Sequence, residues 1–75
     1  MPLVHIDMME GRSPEQIERM VAAVSEALAE SLPAPIDTVR VVVNEMEPHQ
    51  YGIGGVPFTE VKRRRAAAAE SATDA

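Results

Sequence analysis

The stretch from Ser13 to Pro33 carries the one pattern long enough for a packed helix, and it dictates what the flanking chain must do. Apolar residues recur at Ile17, Met20, Val21, Val24, Ala27, Leu28 and Leu32, the period of one helical face. Ser13 suits the N-cap, Pro14 the first helical position, and Gln16 completes a capping box with Ser13. Pro33 and Pro35 stop the helix. A single apolar stripe needs a surface to pack on.

The flanks are built to supply it. Residues 3–9 alternate: Val4, Ile6 and Met8 fall on one face, Leu3, His5 and Asp7 on the other. Glu10-Gly11-Arg12 then makes a short turn. The segment from Val39 to Met46 is rich in β-branched residues, with Val39, Val41 and Val43 on one face and Arg40, Val42 and Asn44 on the other. The order strand–helix–strand predicts a β-α-β unit with parallel strands, hence an α+β protomer. The second sheet face, with Leu3, His5, Arg40 and Val42, is too mixed to be simply solvated. No second helix is expected to cover it, so a second subunit is the natural cover.

Size points the same way. A domain of 75 residues buries only about 60% of its unfolded surface and often needs disulfides, a metal or oligomerisation. The chain has no cysteine, and His5 and His49 show no ligand spacing. No metal and no cofactor is expected, and oligomerisation is. A net charge of −5 argues against broad nucleic-acid binding, and the basic run Lys62-Arg63-Arg64-Arg65 reads as a solvated surface feature. No segment reads as a membrane span or a signal peptide. These readings favour the cytoplasm.

Tyr51-Gly52-Ile53-Gly54-Gly55 fits a hairpin or a tight backbone approach. Residues 56–63 are expected to add a short strand. From Arg64 the Ala/Glu/Ser/Asp composition reads as a frayed helix or a disordered tail. The expected division is a domain over 1–64 and a flexible, Ala-rich acidic tail over 65–75.

Met1-Pro2, Glu10-Gly11-Arg12-Ser13, Val39-Arg40-Val41 and Tyr51-Gly52-Ile53-Gly54-Gly55, in this order and spacing, resemble the 4-oxalocrotonate tautomerase family, from Pro2 to about Arg64. The resemblance implies a β-α-β tautomerase protomer with a C-terminal hairpin, paired into dimers and commonly into hexamers, with a dimer as the other outcome. It implies that Pro2, exposed as the N-terminal residue once Met1 is removed, moves a proton within an unsaturated 2-oxo acid or its enol, such as 2-hydroxymuconate. Arg12 would bind one substrate carboxylate. Arg40, from a neighbouring subunit, would bind the other carboxylate and the enol oxygen, and Tyr51 would form an apolar wall. The chain departs from the namesake enzyme at Tyr51, where that enzyme has phenylalanine, at Lys62, where it has an arginine near the site mouth, and in Val56-Pro57-Phe58 and the tail after Arg65.

The chemistry suits these residues. A base works best with a pKa near the working pH, and burial and neighbouring positive charge both lower that of an amine. A guanidinium stabilises charge developing on oxygen and grips carboxylates through its planar fork. Without the resemblance, Arg12 reads as a solvated turn residue, Arg40 as a member of a cross-strand ion pair, and Tyr51 as a packing residue. Two other functions stay open. A protonated Pro2 could assist hydration or dehalogenation of an acrylic or propiolic acid, with Glu10, Glu45 or Glu47 activating water. The chain could also be a non-catalytic subunit, or one partner of a hetero-oligomer.

Overall fold

A computed structural model describes residues 1–74, the last three by backbone alone. The chain is α+β and divides into two compact units, Met1–Glu45 and the residues from Met46 onward.

The first unit holds strand β1 (Leu3–Met9), helix α1 (Pro14–Ser31), a 3-10 turn at Ile36–Thr38 and strand β2, which begins at Arg40 and ends at Met46. β1 and β2 are neighbours in one sheet. The Arg40 N–H donates to the Pro2 carbonyl at 2.9 Å. Both strands therefore start at the same end of the sheet and run parallel, as the helical crossover between them requires.

Alternation sets the two faces. Val4, Ile6 and Met8 of β1 and Val41 and Val43 of β2 are half-buried, whereas Leu3, His5, Asp7, Arg40, Val42 and Asn44 are exposed. On α1 the half-buried stripe is Ile17, Met20, Val21, Val24 and Leu28, joined by Ser25 and Ala29. Ala27 and Leu32, expected on that stripe, are exposed. Ala27 lies at the edge of the helical arc. Leu32 is the C-cap, with φ −104° and ψ 16°, so it has already left the helix.

The ends of α1 follow local chemistry. Ser13 Oγ accepts the Gln16 N–H at 3.2 Å, and Gln16 Oε1 accepts the Ser13 N–H at 3.0 Å. Two amide donors that the first turn would leave orphaned are thereby satisfied. Gly11, at φ 125°, takes a backbone that side-chain-bearing residues rarely adopt and turns β1 toward α1.

The second unit begins with a 3-10 turn at Pro48–Gln50, continues as a hairpin of β3 (Gly52–Ile53) and β4 (Val56–Pro57), and ends in helix α2 (Phe58–Asp74). Gly52 pairs with Pro57 and Ile53 with Val56. Gly54 and Gly55 form the two-residue turn with φ of 59° and 83°, the doubly positive pattern that matches strand twist in tight hairpins.

α2 corrects two expectations. Only Val56 and Pro57 of the expected 56–63 strand are extended, and residues 58–63 are helical. The chain does have a second helix, which runs on through residues 65–74, the helical alternative for the expected tail; Ala75 lies outside the described residues. Alanine's high helix propensity favours this continuation through Ala66–Ala69.

Among the described residues no side chain is fully buried. Leu3 and Val42 on the outer sheet face are 59% and 40% exposed, and Ile36, in the 3-10 turn before β2, is 53% exposed. A lone chain of this design leaves its sheet half-covered.

Candidate active site

Pro2 enters the sheet through its carbonyl, which the Arg40 amide holds at the start of both strands. The Pro2 side chain is half-buried, and Met1 ahead of it is 86% exposed. While Met1 is attached, the Pro2 nitrogen is a tertiary amide and cannot act as a base. Removal of Met1 would turn it into a secondary amine without touching the carbonyl that the sheet uses.

Arg40 is the first residue of β2 and faces outward with Val42. Its guanidinium folds back along its own chain, with Nη1 donating to the Asp37 carbonyl at 2.8 Å and the Val39 carbonyl at 3.3 Å. The backbone thus brings Arg40 against Pro2, while the charged end is held by the turn before β2. The ion-pair reading of Arg40 fails, since it has no carboxylate partner among the described residues.

Arg12 lies elsewhere in the same unit. It lines an open concavity of about 290 Å³ with Met8, Gln16, Ile17 and Met20. The walls are thioether and aliphatic, and Arg12 supplies the only formal charge. Gln16 takes part in both the capping box and this lining. Its role here had no signal beyond the cap. Met8 stands near the far end of β1 from Pro2, and seven strand residues at about 3.3 Å each span roughly 20 Å. One chain therefore does not bring its own Pro2 and Arg12 to a small molecule. Glu10 follows β1 and Glu45 lies near the end of β2, so parallel pairing also sets both carboxylates away from Pro2.

Tyr51 belongs to the second unit and is 43% exposed. Its carbonyl accepts the Phe58 N–H at 2.7 Å, closing the hairpin below Gly52 and Pro57. The Tyr51 and Phe58 rings meet edge-on, with centroids 5.7 Å apart and planes at 61°, a favoured aromatic geometry. The Arg65 guanidinium carbon lies 5.7 Å from the Phe58 centroid, within cation–π range. Glu47, the third candidate carboxylate, sits 3.3 Å from His49 Nδ1 and takes part in a capping box with Gln50.

Glu60, in the first turn of α2, draws in the neighbouring arginines. Arg63 donates to it through Nε at 2.8 Å and Nη2 at 2.6 Å, and Arg64 through Nε at 3.0 Å. The Arg63 hydrogen bond, opposed by some desolvation and aided by Arg64, pulls the Glu60 carboxyl down to about 2. Lys62 is exposed on the same helix.

A profile of the family described as tautomerase enzyme matches residues 2–61. The chain belongs to the tautomerase family. A 2-hydroxymuconate tautomerase of Pseudomonas sp. (strain CF600) is 46% identical over 63 residues, covering 84% of this chain and the whole of that relative. Among solved structures, a heterohexamer 4-oxalocrotonate tautomerase from Chloroflexus aurantiacus J-10-fl superposes with a TM-score of 0.75 at 37% identity, over 80% of this chain and 97% of its own. A 4-oxalocrotonate tautomerase homologue of the tomaymycin biosynthetic pathway gives 0.77 at 37% identity, over 87% and 95%. The protein is accordingly an enzyme of the isomerase class, a tautomerase.

The tautomerase match stops within the first turn of α2. Among the described residues no group of three metal-ligating side chains clusters, and no helix is long and apolar enough to cross a membrane.

Proposed function

We propose that the chain, once Met1 is removed, converts the enol of an unsaturated 2-oxo dicarboxylic acid, such as 2-hydroxymuconate, to its conjugated ketone, with Pro2 as base and then acid. The backbone bond between Arg40 and Pro2 is the observation that carries this reading. It supports a free prolyl amine at a fixed end of the sheet, beside the start of the strand that bears Arg40.

The proposed step is a proton shuttle. The Pro2 nitrogen takes the enol hydroxyl proton as the C–O bond becomes a carbonyl. The electron pair released moves along the diene toward a distal carbon, and the prolyl ammonium returns the proton there. Atoms and charge balance without a cofactor. The Arg40 guanidinium lent by a neighbouring copy, released from its own Asp37 and Val39 carbonyls, holds the near carboxylate and the oxygen on which charge builds. Arg12 grips the far carboxylate, and Tyr51 lines the pocket. A curated relative named as a 2-hydroxymuconate tautomerase supports the substrate class.

The length of β1, roughly 20 Å, with Pro2 before one end and the Met8–Arg12 concavity near the other, supports a site shared between copies. The absence of any fully buried side chain among the described residues supports assembly. A homo-oligomer, with a hexamer favoured over a dimer, meets both needs. Within one chain Glu10 and Glu45 lie at the other end of the sheet from Pro2, so hydration or dehalogenation would need a carboxylate lent by a neighbouring copy, as the tautomerase reading needs Arg12.

Ketonisation of 2-hydroxymuconate, followed by ultraviolet absorbance, tests the reading. The protein needs an N-terminus verified by mass, with Arg40→Ala and a Met1-retaining form beside it. Turnover lost in both controls is the expected result. No turnover by processed, assembled protein sinks the substrate assignment.

A further inference from the structure

The family profile ends in the first turn of α2, yet the helix runs on to Asp74. The extension is attached to a residue that the proposed function uses. Arg65 stands over one side of the Phe58 ring, and Phe58 meets Tyr51 edge-on. The Phe58 amide also donates to the Tyr51 carbonyl. Arg63 and Arg64 are both drawn to Glu60. Arg65 is not among the Glu60 partners, and its guanidinium lies on the ring instead. A chain of three side chains thus leads from α2 to the hairpin aromatic.

We propose that α2 is a brace that sets the Tyr51 ring, with Phe58 and Arg65 as positioning residues. Backbone closure of the hairpin fixes where Tyr51 begins but leaves its side-chain torsions free. The edge contact with Phe58 selects one orientation, and the cation over Phe58 keeps that ring from turning away. Neither residue touches substrate; both act through Tyr51. The catalytic consequence rests on the reading of Tyr51 as a pocket wall, whereas the brace itself does not.

The sequence provides its own reporter. Tyr51 is the only tyrosine, Phe58 the only phenylalanine, and there is no tryptophan. The near-ultraviolet circular dichroism of the tyrosine band therefore reports one side chain in one environment. The experiment compares the full chain with Phe58→Leu, Arg65→Ala and Arg65→Lys, recording this band, the far-ultraviolet spectrum and the KM and kcat of ketonisation. Phe58→Leu keeps apolar volume and is expected to cost the tyrosine band half or more of its intensity. It should raise KM roughly fivefold, the worth of one aromatic contact, with kcat within about twofold. Arg65→Ala should move both in the same direction by less, and Arg65→Lys should restore most of the change, since an ammonium also binds a ring face.

An unchanged tyrosine band in Phe58→Leu and Arg65→Ala, with helicity intact, overturns the brace. If Phe58→Leu fails to fold, Arg65→Ala decides alone, because that position is exposed. A band that falls while KM stays put upholds the brace and sinks the pocket-wall reading of Tyr51.

Discussion

The two units of this chain are held by different kinds of force. In the first, β1, α1 and β2 follow a periodic division of apolar and polar residues. Its half-buried positions alternate on the strands and recur along one stripe of the helix. In the second, two of the hairpin residues are glycines with positive φ, and α2 is joined to it by a backbone hydrogen bond from the Phe58 N–H to the Tyr51 carbonyl, an aromatic edge and a guanidinium on a ring. Diffuse apolar burial tolerates swaps of similar volume. Individual geometric devices do not, but each is worth less. The contrast predicts a ranking of damage.

The largest effect should come from placing a charge on the inner face of the first unit. Val41→Asp puts a carboxylate among half-buried valines and methionines without a partner, and should cost about 3 kcal/mol or more. Denaturant unfolding at fixed protein concentration measures it. A loss below about 1 kcal/mol would mean that this face is not the principal source of stability.

Next comes the hairpin. Gly55→Val forces a β-branched residue to φ 83° and should cost about 1–2 kcal/mol, read as a lower melting temperature. Gly54→Asn should be nearly neutral, because asparagine tolerates the left-handed region. Equal damage from both substitutions would show that something other than backbone conformation controls the turn.

A cap sits lower in the ranking. Ser13→Ala removes the acceptor for the Gln16 amide and should cost about 1 kcal/mol. If α1 depends on its apolar stripe as argued, the helix will survive this change, with far-ultraviolet ellipticity nearly unchanged at 25 °C.

The smallest effect is expected at Glu60, and it has a pH signature. Its carboxyl is held well below the ordinary carboxylate value, chiefly by the Arg63 hydrogen bond. A depressed folded pKa stabilises at pH values above the ordinary one, and that contribution is lost as pH falls through the folded value. Helicity of α2 should therefore hold down to about pH 4.5 and decline toward about 2. Glu60→Gln should abolish that acid-dependent step while leaving the neutral-pH spectrum close to that of the parent, because exposed ion pairs contribute little.

The same division explains what could be read from the sequence. β1, α1 with its capping box, and β2 were legible because period and cap are local signals that the packed unit reinforces. The glycine turn was legible because φ above zero leaves few other choices. α2 was missed at its start because Val56-Pro57-Phe58-Thr59 continues in strand-like residues with no capping signal before Phe58. Its end was left open between a frayed helix and a tail, because four alanines among acidic and hydroxyl residues resemble either. Pro2, Arg12, Arg40 and Tyr51 were singled out by resemblance alone. Arg12 and Arg40 would otherwise have passed as surface charges, and no local pattern pairs Arg12 with Gln16 and three apolar walls. Arg65 and Phe58 lie seven residues apart, two helical turns, and that spacing became meaningful only once a helix joined them.

The sheet's grip on Pro2 has a further consequence. The rung to Arg40 uses the carbonyl oxygen of Pro2 and leaves its nitrogen out of the ladder. Removal of Met1 therefore leaves the Arg40–Pro2 rung of the sheet intact, and changes the surface only at the exposed residue that is lost. On the proposed chemistry, unprocessed chains enter oligomers as silent subunits, still lending Arg12 and Arg40 to their neighbours, and specific activity reads out the fraction of chains whose first residue has been removed.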